Sequence, residues 1–283
     1  VELASLSIRI ARSENLSALP QVMLSVIRKM SDPTVSSAEL EMIFRREPAI
    51  VAKLLKAANS SYYGLRNPVQ SVSAAIAVLG MKAVSNIVIS VAYQQTLASQ
   101  HSKLFDRGSF WQHSLATGIL ARAIAKKVSP ESAEEFYMIG LLHDIGWLGL
   151  ERHCPAELDK ILVLIRQHKI PEYKAQLSVL GFDTTDVGAV MAKQWRLGDR
   201  MIDAIEHHRN PTAAQNHQDA AHILNVANGI AHQTGFENQS PSECVDPDPG
   251  SVFNLDLQDD FLDELRGWIR GEVIDTSKAY SLK

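Results

Sequence analysis

An all-α fold is predicted by three observations. Apolar residues recur at helical spacing in nearly every segment, and Pro, Ser, Asp and Gly stand where helices start and stop. No run of alternating β-branched residues is bounded by hairpin turns. About a dozen helices are expected, and the length suits two lobes. A connector and a C-terminal amphipathic helix follow over 238–283.

The elements can be justified in chain order. Val22, Val26, Ile27 and Met30 form one helical stripe. In "EPAIVAKLLKAANSS", Pro48 stands at a first helical position, and Ile50, Val51, Leu54, Leu55 and Ala58 share a face. Ser71 or Ser73 can cap "SAAIAVLG", with Gly80 as its stop, and Val84, Ile87, Val88 and Val91 make the next stripe. The long apolar tract from Ala74 to Tyr93 reads as two packed helices, because Gly80, Lys82 and Asn86 interrupt any membrane span. Ser129 with Pro130 predicts a capped helix leading to His143, and Asp183 caps the helix of Val187, Val190, Met191 and Trp195. Residues 238–260, rich in Pro, Ser, Gly and Asp, read as an exposed connector. Beyond it Phe261, Leu262, Leu265, Trp268 and Ile269 form an amphipathic face able to dock back on the body.

Composition narrows the function. With 283 residues, 46% hydrophobic and 21% charged, the chain has the material for two globular lobes. A net charge of -4 and isolated basic pairs, Arg45-Arg46 and Lys126-Lys127, give no footprint for nucleic acid. Cys154 and Cys244 are too far apart for metal-ligand spacing, which argues against a disulfide framework and fits a reducing cytoplasm. No signal peptide opens the chain, and Val1 in place of Met suggests a fragment of a longer gene product.

The chemistry-bearing residues occur in order: His113 in "FWQHSLATG", His143 and Asp144 in "LLHDIG", then His207 and His208 in "IEHHRNP". Imidazole and carboxylate are ligands that divalent Fe, Mn, Ni or Zn accept. Adjacent residues on a helix point roughly 100° apart, so one metal can take both His143 and Asp144 only near a helix end or against a crossing helix. Gly146 would permit such an approach. Taken alone, His113 between Phe110, Trp111 and Leu115 reads as a hydrogen-bonded core histidine. His207 and His208 equally suit an exposed last helical turn. His101, His153, His168, His217, His222 and His232 have no convergent partner in the sequence and read as surface or supporting positions.

Together these motifs resemble the HD superfamily of metal-dependent phosphohydrolases, and most closely its HDOD branch, the HD-related output domain of bacterial signalling proteins. "LSALPQVMLSVIRKM", "RREPAIVAKLLKAANSSYYG" and "SVSAAIAVLGMKAV" are similar to that branch's Leu-Pro opening, Asp-Pro helix, Asn-Ser segment and Leu-Gly segment, and the likeness runs from about Leu16 to about Gly235. The resemblance implies an all-helical fold of an N-terminal lobe over 1–108 packed on an HD-like, histidine-bearing lobe over 109–237. It also implies an output or scaffold role, joined to an upstream domain in the same chain and to other signalling proteins.

Carried over residue by residue, one metal position keeps His113, His143 and Asp144 with Asn228 in the fourth place, where relatives have Asp. The second keeps Asp144, His207 and His208, with Thr184 where relatives often have His. Trp147 stands where the HD-GYP phosphodiesterases have Lys, the "GYP" loop is missing, and Glu47 conservatively replaces the usual Asp before Pro48. A degenerate site follows, with no catalytic residue assigned and either no cofactor or a weakly bound divalent metal. Three readings are expected from this: a non-catalytic signalling scaffold; a phosphohydrolase acting on a nucleotide or cyclic dinucleotide, with His207 or His208 handling the phosphate; or a metal- or ligand-binding switch without turnover. Tyr62 and Tyr63 beside Asn59 read as packing residues, with a lobe-facing contact surface as the alternative.

Overall fold

The computed structural model describes residues 2–12, 20–30, 32, 34–44, 46–60, 63–97, 102–240 and 245–280. Arg45, Tyr62, His101, Cys244 and the Leu16 to Leu19 part of the Leu-Pro opening lie outside the described residues. The described chain is helical throughout, without a strand. No helix among these residues is long and apolar enough to cross a membrane.

The chain divides into two compact units, each built from non-contiguous segments: Val1–Ala18 with Ser99–Ile269, and Leu19–Ala98 with Arg270–Lys283. This division differs from the expected boundary at 108. The first helix, α1 (Leu3–Arg12), belongs to the histidine-bearing unit because it packs on two of that unit's helices. Its Arg9 donates to the His153 carbonyl (3.0 Å) and to Cys154 Sγ (3.3 Å).

The other unit contains α2 (Gln21–Met30), α3 (Ser37–Phe44), α4 (Pro48–Ala58), α5 (Val72–Leu79) and α6 (Met81–Thr96). Helix α4 starts at Pro48, whose missing N–H is no loss there. Its buried face includes Ile50 and Leu54, each contributing about 1.5–3 kcal/mol of apolar burial. Ser71 caps α5 by accepting from the Ala74 N–H, and Gly80 at φ 85° ends it, so the apolar tract is indeed two helices. Asn59 staples the following loop: its side-chain oxygen accepts from Val69 N–H (2.7 Å) and its amide donates to Val69 C=O (2.8 Å).

The histidine-bearing unit adds α7 (Arg107–Val128), α8 (Ala133–Leu142), α9 (Ile145–His153), α10 (Pro155–His168), α11 (Glu172–Leu180), α12 (Thr184–Gln194), α13 (Asp199–His207), α14 (Gln218–Gln233), α15 (Pro249–Asn254) and the first half of α16 (Asp259–Tyr280). Helix α7 is its spine, packed on α8 and α14 around Phe110, Leu115, Ile119, Phe136 and Leu141. Asp183 forms a capping box at α12, accepting from the Thr185 and Asp186 N–H groups while Asp186 accepts from its own N–H. Ser129 behaves differently from expectation. Its hydroxyl donates to Glu131 (2.8 Å), and Pro130–Ser132 form a short 3-10 turn before α8 begins at Ala133.

Two expectations for the C-terminal region change. Asn238, Gln239 and Ser240 are buried, so the start of the connector is part of the body and not an exposed tether. Helix α16 is longer than its predicted stripe; it buries Leu262, Leu265 and Ile269, and Lys127 of α7 lies over the Phe261 ring at 5.0 Å.

Candidate metal centre

Helix α7 is fixed at its start by Asp106, whose carboxylate accepts from the Ser109 N–H, and it carries His113 two turns in. His143 and Asp144 occupy the junction between α8 and α9, with Asp144 at φ -101° and ψ 20°. This break answers the geometric problem of adjacent residues on one helix. The two side chains leave a helix end, where they can converge.

His113 Nε2 lies 3.2 Å from His143 Nε2, and each nitrogen is 3.5 Å from Asp144 Oδ2. All three residues are buried. His113 Nδ1 meets the Phe236 carbonyl at 2.7 Å, and His143 Nδ1 meets the Gly140 carbonyl at 2.7 Å. A carbonyl only accepts, so each Nδ1 carries the ring proton and each Nε2 of the neutral ring presents a lone pair. With neutral rings three electron-pair donors face one another, and a cation placed among them would relieve their repulsion. The cluster could hold a metal ion.

Asp144 is shifted below the ordinary carboxylate range: burial opposes its charge, and the neighbouring histidines, charged at the acid pH where a carboxyl titrates, together with the Arg209 guanidinium outweigh that. Burial drives His113 down to about 3, with His232 and His143 adding to the effect. His208 is likewise pushed down to about 3, chiefly by burial, and its Nδ1 meets the Ile205 carbonyl at 3.0 Å. A stability prediction follows for chelator-treated protein. The unfolded chain takes up protons on these two histidines near pH 6.5 and the folded chain does not until about pH 3. Their contribution is therefore complete above pH 6.5 and is lost as pH falls. The fall is steepest where both histidines are protonated in the unfolded chain and still neutral in the folded one. Urea denaturation across pH 4 to 7 measures it, and His208→Asn should roughly halve it.

Of the five predicted ligands, His113, His143 and Asp144 converge, and His208 adjoins them, its ring edge-on to His143 with centroids 5.3 Å apart. His207 is half-buried and lies outside the lining of the adjoining cavity. His232, read from sequence as unplaced, stands beside His113 with ring centroids 5.0 Å apart. The signal for it was available: Asn228 and His232 are four residues apart on α14 and share a face. Asn228 fits a ligand role as well, because its Oδ1 is buried without a hydrogen-bond partner and lines the same cavity. Asn238, which donates to Asp144 Oδ2, carried no sequence signal.

A cavity of about 340 Å³ opens beside the cluster, lined by Asp144, His208, Arg209, Asn228, His232 and Asn238 among others. Thr184 is engaged elsewhere: its hydroxyl meets Gln176 (3.3 Å) and accepts from Arg209 (3.4 Å). Arg209 is itself paired with Glu172 (2.7 Å) and Asp183 (3.4 Å). Trp147 is fully buried, 6.2 Å from the Phe105 ring, and presents nothing to the cavity.

An all-helical unit with His, His and Asp converging at a helix break defines a protein of the HD type. The HDOD domain family model matches residues 16–211, and the chain belongs to the HDOD family. A curated relative, an uncharacterised protein of Treponema pallidum (strain Nichols), is 25% identical over 219 residues, 77% of this chain. The chain spans 42% of that relative's length. Among solved structures, an HDOD domain protein of unknown function from Geobacter sulfurreducens is 21% identical with TM-score 0.71, covering 95% of this chain and 99% of that one. A candidate phosphohydrolase from Shewanella amazonensis SB2B is 19% identical with TM-score 0.77, covering 98% of each chain. A candidate signal transduction protein from Marinobacter aquaeolei VT8 is 20% identical with TM-score 0.75, covering 93% of this chain and 59% of that one. At these identities the likeness is one of fold.

Proposed function

We propose that this chain is a non-hydrolytic signal-transduction module that binds one divalent metal ion through His113, His143 and Asp144, with Asn228 as a fourth, uncharged donor. Fe, Mn, Ni or Zn suits the mixed nitrogen and oxygen set. The carrying observation is the contrast within one site. Three potential donors converge in a buried cluster, while Thr184 spends its hydrogen bonds on Gln176 and Arg209. With Asp144 as the only carboxylate of the cluster, affinity for a dication is modest. The occupied centre serves to set the packing of the helices that meet there, for reading by an upstream domain or a partner signalling protein in the cytoplasm. Nucleic acid is not the partner, given a net charge of -4.

A second reading, metal-dependent hydrolysis of a nucleotide or cyclic dinucleotide, is favoured by one observation, the cavity beside the cluster with Arg209 in its wall. A bound dication would supply Lewis-acid polarisation of a phosphoryl oxygen. One experiment separates the two. Purified protein loaded with Mn or Fe is expected to show about one metal per chain by elemental analysis and no turnover across a panel of nucleotides and cyclic dinucleotides. Turnover above background that disappears in folded Asp144→Ala protein would replace the first reading with the second.

A further inference from the structure

The geometry points to Asn238 as a positioning residue for Asp144, aimed by Gln239, so that the start of the C-terminal segment sets the metal affinity of the centre. This rests on the metal-binding reading above. Asn238 Nδ2 donates to Asp144 Oδ2, the same oxygen that lies 3.5 Å from both imidazole nitrogens. A carboxylate oxygen has two lone pairs, so the amide can hold one while the other stays directed at the cluster. Fixing the carboxylate rotamer in advance lowers the cost of ligation, which is how groups behind metal ligands strengthen a site.

The orientation of the Asn238 amide is itself determined. Gln239 Oε1 accepts from the Asp106 N–H (3.0 Å), and its Nε2 donates to the Asp106 carbonyl (2.9 Å). Reversing the Gln239 amide would set donor against donor and acceptor against acceptor. Arg166 adds a donor to the same Oε1 at 3.1 Å. The Gln239 Nε2 also reaches Asn238 Oδ1 at 3.0 Å. Asn238 is thus left with its carbonyl toward Gln239 and its Nδ2 toward Asp144. Both side chains are buried, and Asp106 is the residue that caps α7, the helix of His113. Farther along the segment, Pro247 sits so close to α14 that a Cβ on Gly229 would lie 2.4 Å from its nitrogen. Asp248 N–H donates to Asn225 at 2.8 Å, holding that end on the same helix that carries Asn228 and His232.

The test is calorimetric titration of chelator-stripped full chain with Zn²⁺ alone, at a temperature where circular dichroism shows each variant folded. Asn238→Leu should weaken binding by roughly 10- to 100-fold. Gln239→Leu does not touch Asp144, and it should weaken binding by a smaller factor by freeing the Asn238 amide to turn. A merely structural role would lower the melting temperature of the stripped protein and leave the dissociation constant of the folded protein unchanged. Should Asn238→Leu fail to fold, Asn238→Ser takes its place with the same expectation. Wild-type binding with both folded variants within twofold of it would overturn this inference and leave the metal reading intact. A wild-type chain that takes up no Zn²⁺ would overturn both.

Discussion

Replacing Gly146 by alanine is expected to prevent the histidine-bearing unit from reaching its native packing. A Cβ at this position would lie 1.9 Å from the Thr184 carbonyl oxygen and 2.9 Å from its carbon, both backbone atoms of the α12 start. No rotamer change relieves a backbone clash, so α9 and α12 must separate by more than an ångström. Helix separation on that scale forfeits interior packing and costs about 4 kcal/mol or more, at the severe end for one substitution. Urea denaturation of Gly146→Ala should show a collapsed midpoint or no cooperative transition. A midpoint equal to that of the wild type would show that the helices are not seated this closely. The same displacement moves His143 and Asp144, three and two residues before Gly146, so metal uptake should be lost with the packing.

The second large effect is the coupling of metal to stability. The folded cluster gathers His113, His143 and Asp144, and the unfolded chain has no such site, so a metal bound there would stabilise only the native state. At a metal concentration a hundred times the dissociation constant, the gain is about 2.7 kcal/mol, read as a rise in melting temperature of roughly 5–10 °C for a unit of this size. Asp144→Asn keeps the shape and an acceptor for Asn238 and removes the cluster's one negative charge. If it lowers affinity a hundredfold, about 0.4 kcal/mol remains at the same metal concentration, and the thermal shift should all but vanish. Thr184→Ala, in contrast, should keep the full shift, because Thr184 bonds to Gln176 and Arg209. A Thr184→Ala variant that lost the shift while Asp144→Asn kept it would contradict the assignment of donors.

The local elements were largely legible in the sequence. Pro48 at a helix start, Ser71 as one of the two candidate caps, Gly80 as a stop and Asp183 as a cap all appear where the residue chemistry placed them, and Asp186 completes a capping box with Asp183. Each depends on neighbours within four residues, the range over which capping and periodicity act. Ser129 departs because a nearby carboxylate, Glu131, takes its hydroxyl and a 3-10 turn intervenes. The Pro- and Asp-rich stretch after residue 237 misled for a related reason. Its composition suits a turn, and composition does not tell whether a turn lies in water or against a buried carboxylate.

The sequence by itself determined the helical class, the family, the order of His113, His143 and Asp144, and the lack of a carboxylate at 228 and an imidazole at 184. Tertiary structure decided which of these residues act together. It set His208 beside the cluster and left His207 outside the cavity lining, brought in His232, and bound Thr184 to Arg209. It also fixed the proton of His113 through a carbonyl 123 residues away, and held Asp144 through an amide 94 residues away. Periodicity reports on one helix at a time. The donor atoms of this site are oriented by partners on other segments, and those partnerships exist only once the helices have packed.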